Sequence, residues 1–254
     1  MIALLGNLAR DLKPGLPPQV GGGPFHGARA LQRLRVPARI VVRCGADDRA
    51  ALLPPIVRLG TPVRYVSAAS TATFAIAYRG EQREMRLEAL GDPWLPSDLP
   101  GLPPAVSWVH VAPLARTDFG ADTLAALGRR RRLSLDGQGL VRVPETGPLT
   151  LDASFDPDLL RHVWTLKLAD EEAEVIGDVT ALPVRELLVT HGGRGATLYV
   201  GGRREEIPAH YMPGDPTGAG DAFMASYVAA RSTGFGPVGA ARRATAVVEA
   251  LLAP

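Results

Sequence analysis

The chain is short of several residue types, and each shortage excludes something. Cys44 is the sole cysteine in 254 residues. No intramolecular disulfide can form, and a cysteine-rich zinc site is excluded. That cysteine usage fits a reducing compartment, and the cytoplasm is the expectation. No apolar run approaches the ~20 residues a membrane span needs, so no membrane is expected as a partner. The opening segment, MIALLGNLARDL, has no basic stretch and no long apolar core, and does not read as a signal peptide. Lysine is nearly missing: Lys13 and Lys167 are the lysines among 28 basic residues. An excess of one charge sign is missing too, with a formal net charge of +2. The one basic run, Arg129 to Arg132, reads as a solvated helix end, where cations suit the dipole. No nucleic acid is expected, because such binders carry a concentrated basic stripe. The serines lack a GxSxG elbow, and the histidines lack metal-ligand spacing, so neither a hydrolase triad nor a histidine metal site is supported.

What is present points to an α/β fold. Hydrophobic residues make up 46% and charged residues 21% of the chain, which suits a globular core. One domain spanning residues 1–254 is expected at this length. Short apolar runs read as strands: residues 2–5, 38–42, 63–66, 108–111, 133–136, 163–168, 186–190 and 196–200. Helical patterns lie between them, at 27–34, 53–59, 122–127, 170–176, 221–231 and 239–251. Strands alternating with helices imply a doubly wound, mainly parallel sheet flanked by helices. Residues 73–78 and 83–87 alternate around Arg79-Gly80-Glu81-Gln82, a hairpin signal. That hairpin, about 73–90, together with the short segment 12–21, is the candidate small β lid. The proline-rich stretch 92–104 reads as a surface connection.

The informative segment is Gly214-Asp215-Pro216-Thr217-Gly218-Ala219-Gly220-Asp221-Ala222-Phe223. Small residues directly before a helix let backbone N–H groups approach an anion, and the helix N-terminus adds positive potential. This is a phosphate cradle without a lysine. No GK[ST] follows, so it is not a Walker A loop, and its C-terminal place rules out a Rossmann fingerprint. Asp221 puts a carboxylate beside the cradle, where it could take the proton of an attacking hydroxyl. Taken alone, the four residues GAGD also fit an ordinary helix start.

DPTGAGDAF resembles the C-terminal signature of the PfkB, or ribokinase-like, family of carbohydrate kinases, with Pro216 in place of a threonine. The resemblance runs along most of the chain. Gly6-Asn7 with Asp11 is similar to the family's first strand and its substrate-binding aspartate. Gly21 to Leu31, GGGPFHGARAL, resembles the glycine signature. Leu166-Lys167-Leu168 with Glu171-Glu172-Ala173 resembles the KxNxxE region, and Val189 to Gly195 resembles the strand and loop that approach the nucleotide. The resemblance implies a ribokinase-like fold and an ATP-dependent, Mg²⁺-assisted transfer of the γ-phosphoryl group to a sugar or polyol hydroxyl. Asp221 would be the base, and Gly218, Ala219 and Gly220 the anion hole. Asp11, Gly22, Gly23 and His26 would hold the acceptor. Thr190, Gly192, Gly195 and Thr217 would line the nucleotide. Glu172 would organise Mg²⁺ indirectly, through water.

Four features depart from the family pattern. His26 stands where asparagine is frequent, and Ala169 where KxNxxE has asparagine. The stretch from Asp11 to Gly22 is short, which reduces one arm of the lid and weakens the case for a dimer clasp, so a homodimer stays open. Arg242-Arg243-Ala244-Thr245 carries no asparagine, which leaves the adenine pocket undefined. Asp136-Gly137-Gln138-Gly139 resembles a DPQG turn of some branches, though turn chemistry explains it equally well. Inositol is an attractive acceptor, because the DPTGAGD form resembles inositol-kinase-like branches. The runners-up are a nucleoside kinase of the same family and a catalytically weak member that binds ligand as a sensor.

Overall fold

The computed structural model describes residues 1–79, 82–99, 101–213 and 215–253. Gly80 and Glu81 of the expected hairpin turn, and Gly214 of the cradle segment, lie outside the described residues. In chain order the elements are β1 (Ile2–Asn7), β2 (Ala9–Leu12), β3 (Gln19–Gly21), α1 (Gly23–Leu34), β4 (Ala38–Gly45), α2 (Arg49–Val57), β5 (Val63–Ala68), β6 (Ala72–Arg79) and β7 (Gln82–Ala89). Then follow β8 (Trp108–Val111), α3 (Ala121–Gly128), β9 (Arg132–Asp136), α4 (Gln138–Val141), β10 (Gly147–Pro148), β11 (Thr165–Ala169) and α5 (Asp170–Ile176). The chain closes through β12 (Glu186–Thr190), β13 (Gly195–Val200), β14 (Arg203–Pro208), α6 (Ala219–Ser232) and α7 (Pro237–Leu252). None of the helices among the described residues is long and apolar enough to cross a membrane.

Nine strands form the main sheet, in the order β14-β13-β12-β11-β9-β8-β1-β4-β5. Pairing is parallel throughout, except where β13 runs antiparallel to β12 and β14. The central strand β1 is buried along its whole length, as a parallel strand covered on both faces must be. From β1 the chain steps outward to β4 and β5, then returns and steps the other way through β8, β9, β11 and β12. The direction reverses between β1 and β8, and in open α/β sheets ligands sit in the crevice beyond the strand ends at such a switch point.

Helix α6 covers the sheet on one face. Its residues Ala222 to Ala230 are all buried, so it is apolar all round, as a helix between a sheet and other helices should be. Gly27 lets α1 lie close to both β1 and α6: a Cβ there would stand 2.7 Å from Leu4 Cδ2 and 3.2 Å from Ala225 Cβ. Glu186 on β12 ties α6 down by accepting from Tyr227 Oη at 2.7 Å and Arg231 Nη2 at 2.6 Å.

A second sheet of five strands, β10-β7-β6-β2-β3, stands beside the carboxyl ends of β1 and β8. It is assembled from segments that leave the main sheet, and Ala9, Phe74, Ile76, Leu87 and Leu114 form its own small core. The excursion is therefore broader than the hairpin and the 12–21 segment, since β2 begins at Ala9 and β10 joins from residues 147–148.

Two local expectations change. The 92–104 stretch is not wholly superficial. Trp94 is buried, stacks on Phe119 and donates its indole N–H to Asn7 Oδ1 at 2.9 Å. The basic run begins as the expected solvated helix end, with exposed Arg129 capping α3, but it does not stop there. Arg130 takes a left-handed backbone (φ 62°), and Arg132 opens β9 with its guanidinium over the Trp108 and Trp164 rings. Delocalised arginine charge suits such stacking.

Candidate active site

One cleft of about 310 Å³ opens at the switch point, between the main sheet and the smaller one. Asp11, Gly22, Gly23, His26, Glu172, Thr190, Gly192, Thr217, Gly218, Ala219, Gly220 and Asp221 all line it. Gly195 does not. It begins β13 at φ 107°, where a Cβ would collide with the Ile207 carbonyl oxygen, so its glycine serves the strand turn. Helices α1, α5 and α6 all direct their N-termini at this cleft, which concentrates positive dipole ends there.

The cradle is built from backbone. Gly218 caps α6 in a left-handed conformation (φ 79°), and the His26 ring fills the space a side chain would need. Asp215 pins the loop by accepting from the Thr217 N–H at 2.9 Å and the Thr217 hydroxyl at 2.6 Å. The Ala219 N–H already donates to the Pro216 carbonyl, and that of Ala222 to Gly218. Among the described residues, this leaves the Gly220 and Asp221 N–H groups of the first turn without a backbone acceptor, the usual condition for anion binding. The loop is also tied to the smaller sheet, where Lys13 Nζ reaches Asp215 Oδ2 at 3.2 Å.

Asp221 sits deep in the cleft yet keeps an open path to solvent. A Cβ on Gly23 would stand 2.7 Å from its Oδ1, so the glycine makes room for the carboxyl. Burial first, and then the charge of neighbouring Asp136, push the Asp221 pKa up to about 7 against the pull of Lys167 and Arg142. Lys167 on β11 lies opposite Asp136 on β9, by strand register. Its Nζ is 3.2 Å from Asp136 Oδ1 and 3.9 Å from Glu172 Oε2. Burial disfavours its charge, but Asp136, Glu172 and Asp221 together hold the ammonium above its ordinary range. Burial also raises Glu172, with Lys167 opposing.

Glu172 caps its own helix, with Oε2 accepting the Ala169 N–H at 2.8 Å. That work, and its contact with Lys167, suit an indirect part at a metal. Asp170 and Glu171 line the same rim and are hard oxygen donors of the kind Mg²⁺ takes. Asp170 is held there by His191 and by Arg194 Nη2, the latter at 2.8 Å. Among the described residues no group of three or more ligand side chains could hold a metal alone. A Mg²⁺ arriving with phosphate oxygens and retaining water would fit this donor set.

Sequence reasoning did not assign Asp136, Lys167, Gln138 or Arg142 to the site. The DxQG turn was the available signal, and the structure places its Gln138 in the cleft wall.

The cleft thus combines an anion cradle at a helix N-terminus, a partly buried carboxylate beside it and a small β sheet alongside. In the family comparison, residues 152–251 match the pfkB family carbohydrate kinase model. Two plant proteins named inositol 3-kinase are each 30% identical, that of Zea mays over 76% of this chain and that of Oryza sativa over 68%. They are covered over 53% and 45% of their own lengths, so the chain spans about half the length of the curated relatives it matches. A pyrophosphate-dependent kinase of the ribokinase family, solved with a pyrophosphate analog and myo-inositol, superposes with a TM-score of 0.84 at 25% identity, covering 99% of this chain and 95% of that one. The fold is shared, at 21% and 17% identity, by a Burkholderia thailandensis nucleoside kinase in complex with inosine and a Pyrococcus horikoshii sugar kinase in complex with ATP. Their TM-scores are 0.75 and 0.71, and in each case 98% of this chain and 91% of the other are covered. Residues 152–251 thus carry the PfkB family match, and the whole chain shares the ribokinase-family fold.

Proposed function

We propose that this protein is a phosphotransferase that moves the γ-phosphoryl group of ATP to a hydroxyl of a small polyol. The observation that carries the reading is Asp221, a carboxylate with proton affinity near neutrality, set beside first-turn N–H groups at the mouth of α6. Asp221 takes the proton of the acceptor hydroxyl. The freed oxygen attacks the γ-phosphorus, the bond to the β–γ bridging oxygen breaks, and ADP leaves with that electron pair. The Gly218–Asp221 backbone steadies charge on the moving group. Asp11, Gly22, Gly23 and His26 orient the acceptor, while Thr190, Gly192 and Thr217 face the donor. Mg²⁺, when bound, neutralises donor phosphate charge, with Asp170, Glu171 and Glu172 at its rim. Residues 1–254 act as one kinase domain, with the smaller sheet as a lid that excludes water.

A second donor deserves equal testing. The structural neighbour with the 0.84 TM-score is described as pyrophosphate-dependent, which supports inorganic pyrophosphate as an alternative to ATP. A nucleoside is the alternative acceptor, supported by the fold shared with the inosine complex. The test is product release with MgATP or with magnesium pyrophosphate, across cyclic polyols including myo-inositol, sugars, sugar acids and nucleosides. The expected result is release that depends on a polyol and vanishes in Asp221→Asn. Turnover undiminished in that variant would sink the mechanism, and ligand binding with no turnover on any acceptor would favour a sensor.

A further inference from the structure

The turn after β9 lines the cleft, but the reaction just described gives it no task. Gln138 opens α4 and Arg142 caps it four positions later, so both side chains leave one face of the turn. Both reach the cleft wall. The Arg142 backbone is fixed from two directions: its N–H donates to the Gln138 carbonyl at 3.2 Å, and its carbonyl accepts from the Arg116 N–H at 3.1 Å. The Arg142 charge acts on Asp221, Glu172 and the buried Asp118 alike, which places it within electrostatic reach of the base.

Sheet order sets the spacing. This turn leaves the carboxyl end of β9, while the segment carrying Asp11 leaves that of β1, with β8 between them. Two strand spacings amount to about 10 Å, room for one six-membered ring with a hydroxyl at each end. Phe74, Ile76, Met85 and Leu114 supply apolar surface to the same cleft. The hydrogen-bonding characters of the two edges are opposite. An ionised Asp11 only accepts, Arg142 only donates, and Gln138 does both. A hydroxyl both donates and accepts, so a ring hydroxylated all round satisfies both edges at once. A carboxylate would meet Arg142 well but would also face Asp11 and Asp221. A nucleobase would bring its own fixed donor and acceptor pattern to one edge.

We propose that Gln138 and Arg142 form a second recognition edge, opposite Asp11, that selects cyclic polyols carrying hydroxyls on both sides of the ring. The proposal rests on the phosphotransferase reading and assigns two specificity-determining residues within it.

The experiment compares wild type, Arg142→Met and Gln138→Leu with myo-inositol and each single-deoxy inositol, using whichever donor supports turnover. Wild-type turnover on any acceptor tests the phosphotransferase reading separately from the edge. Loss of one charged hydrogen bond should raise the acceptor KM about 10- to 100-fold in Arg142→Met, with a smaller fall in kcat and an unchanged donor KM. The deoxy-inositol that lacks the hydroxyl facing Arg142 should be as poor for wild type as myo-inositol is for the variant, and the variant should lose nothing further on it. Gln138→Leu, at a half-exposed position that folding should tolerate, should show the same pattern more weakly. An acceptor KM unchanged in both variants would overturn the proposal, as would wild-type preference for inosine or a sugar acid over every cyclic polyol. If wild type turns over nothing, calorimetry with myo-inositol decides: binding lost in Arg142→Met supports the edge, and binding retained refutes it.

Discussion

Asp221 must shed its proton to act as a base, and burial makes that costly. With its pKa raised to about 7, kcat/KM should climb with pH and level off above neutrality. Stability should move the other way. The folded protein holds this proton where the unfolded chain has lost it, so Asp221 contributes a stability that is full below about 4 and lost as pH rises towards 7. Asp221→Asn removes the ionisable group, so its gain in melting temperature should be larger at pH 8 than at pH 5. An equal shift at both would refute the assignment. Lys167 is the cation of the same cluster. Lys167→Met leaves Asp136 and Glu172 buried without it, and should cost about 3–5 kcal/mol in urea unfolding. At this scale the sequence showed Asp221 and the cradle clearly, because both lie within one short segment. Asp136, Lys167 and Arg142 were hidden, because only the pairing of β9 with β11 and the turn that follows bring them together.

Elements were legible where burial is uniform or capping is local. Glu186–Thr190 and Asp170–Ile176 form the strand and helix read from sequence, with the same ends. Helix α1 instead begins at Gly23, four residues before the expected Gly27, because a glycine-proline start looks like a loop. Proline is nonetheless well placed in a first turn, where no N–H is needed. What orients α6, and Asp221 with it, is the anchor at Glu186. Glu186→Ala would leave Arg231 and Tyr227 without their buried acceptor, and should destabilise by about 3–5 kcal/mol. Tyr227→Phe, which deletes one donor, should cost about 1 kcal/mol. Chemical denaturation of the pair separates the two, and equal losses would argue against Glu186 as the anchor.

At the scale of the whole molecule, the parallel sheet could be read from the alternation of strands and helices, but the smaller sheet could not be read in full. Its strands come from residues 9–12, 19–21, 72–79, 82–89 and 147–148, and no local pattern announces that these meet. Among the described residues, an ion pair of Lys13 with Asp215 ties this sheet to the cradle, with the carboxylate half open to water. Salt should weaken such a pair. The donor KM of Lys13→Met should therefore vary less with ionic strength than that of wild type, and equal salt dependence would leave the contact without a role. The scarcity of lysine then gains a practical meaning. Both lysines of this chain touch the cradle segment, Lys13 through Asp215 from the lid side and Lys167 beneath Gly220. Reductive methylation with ¹³C would thus place isotope labels at Lys13 and the chain's amino terminus, while the buried Lys167 resists until the protein opens. The Lys13 resonance would report lid movement without any engineered tag, against a background of one other label, at the amino terminus.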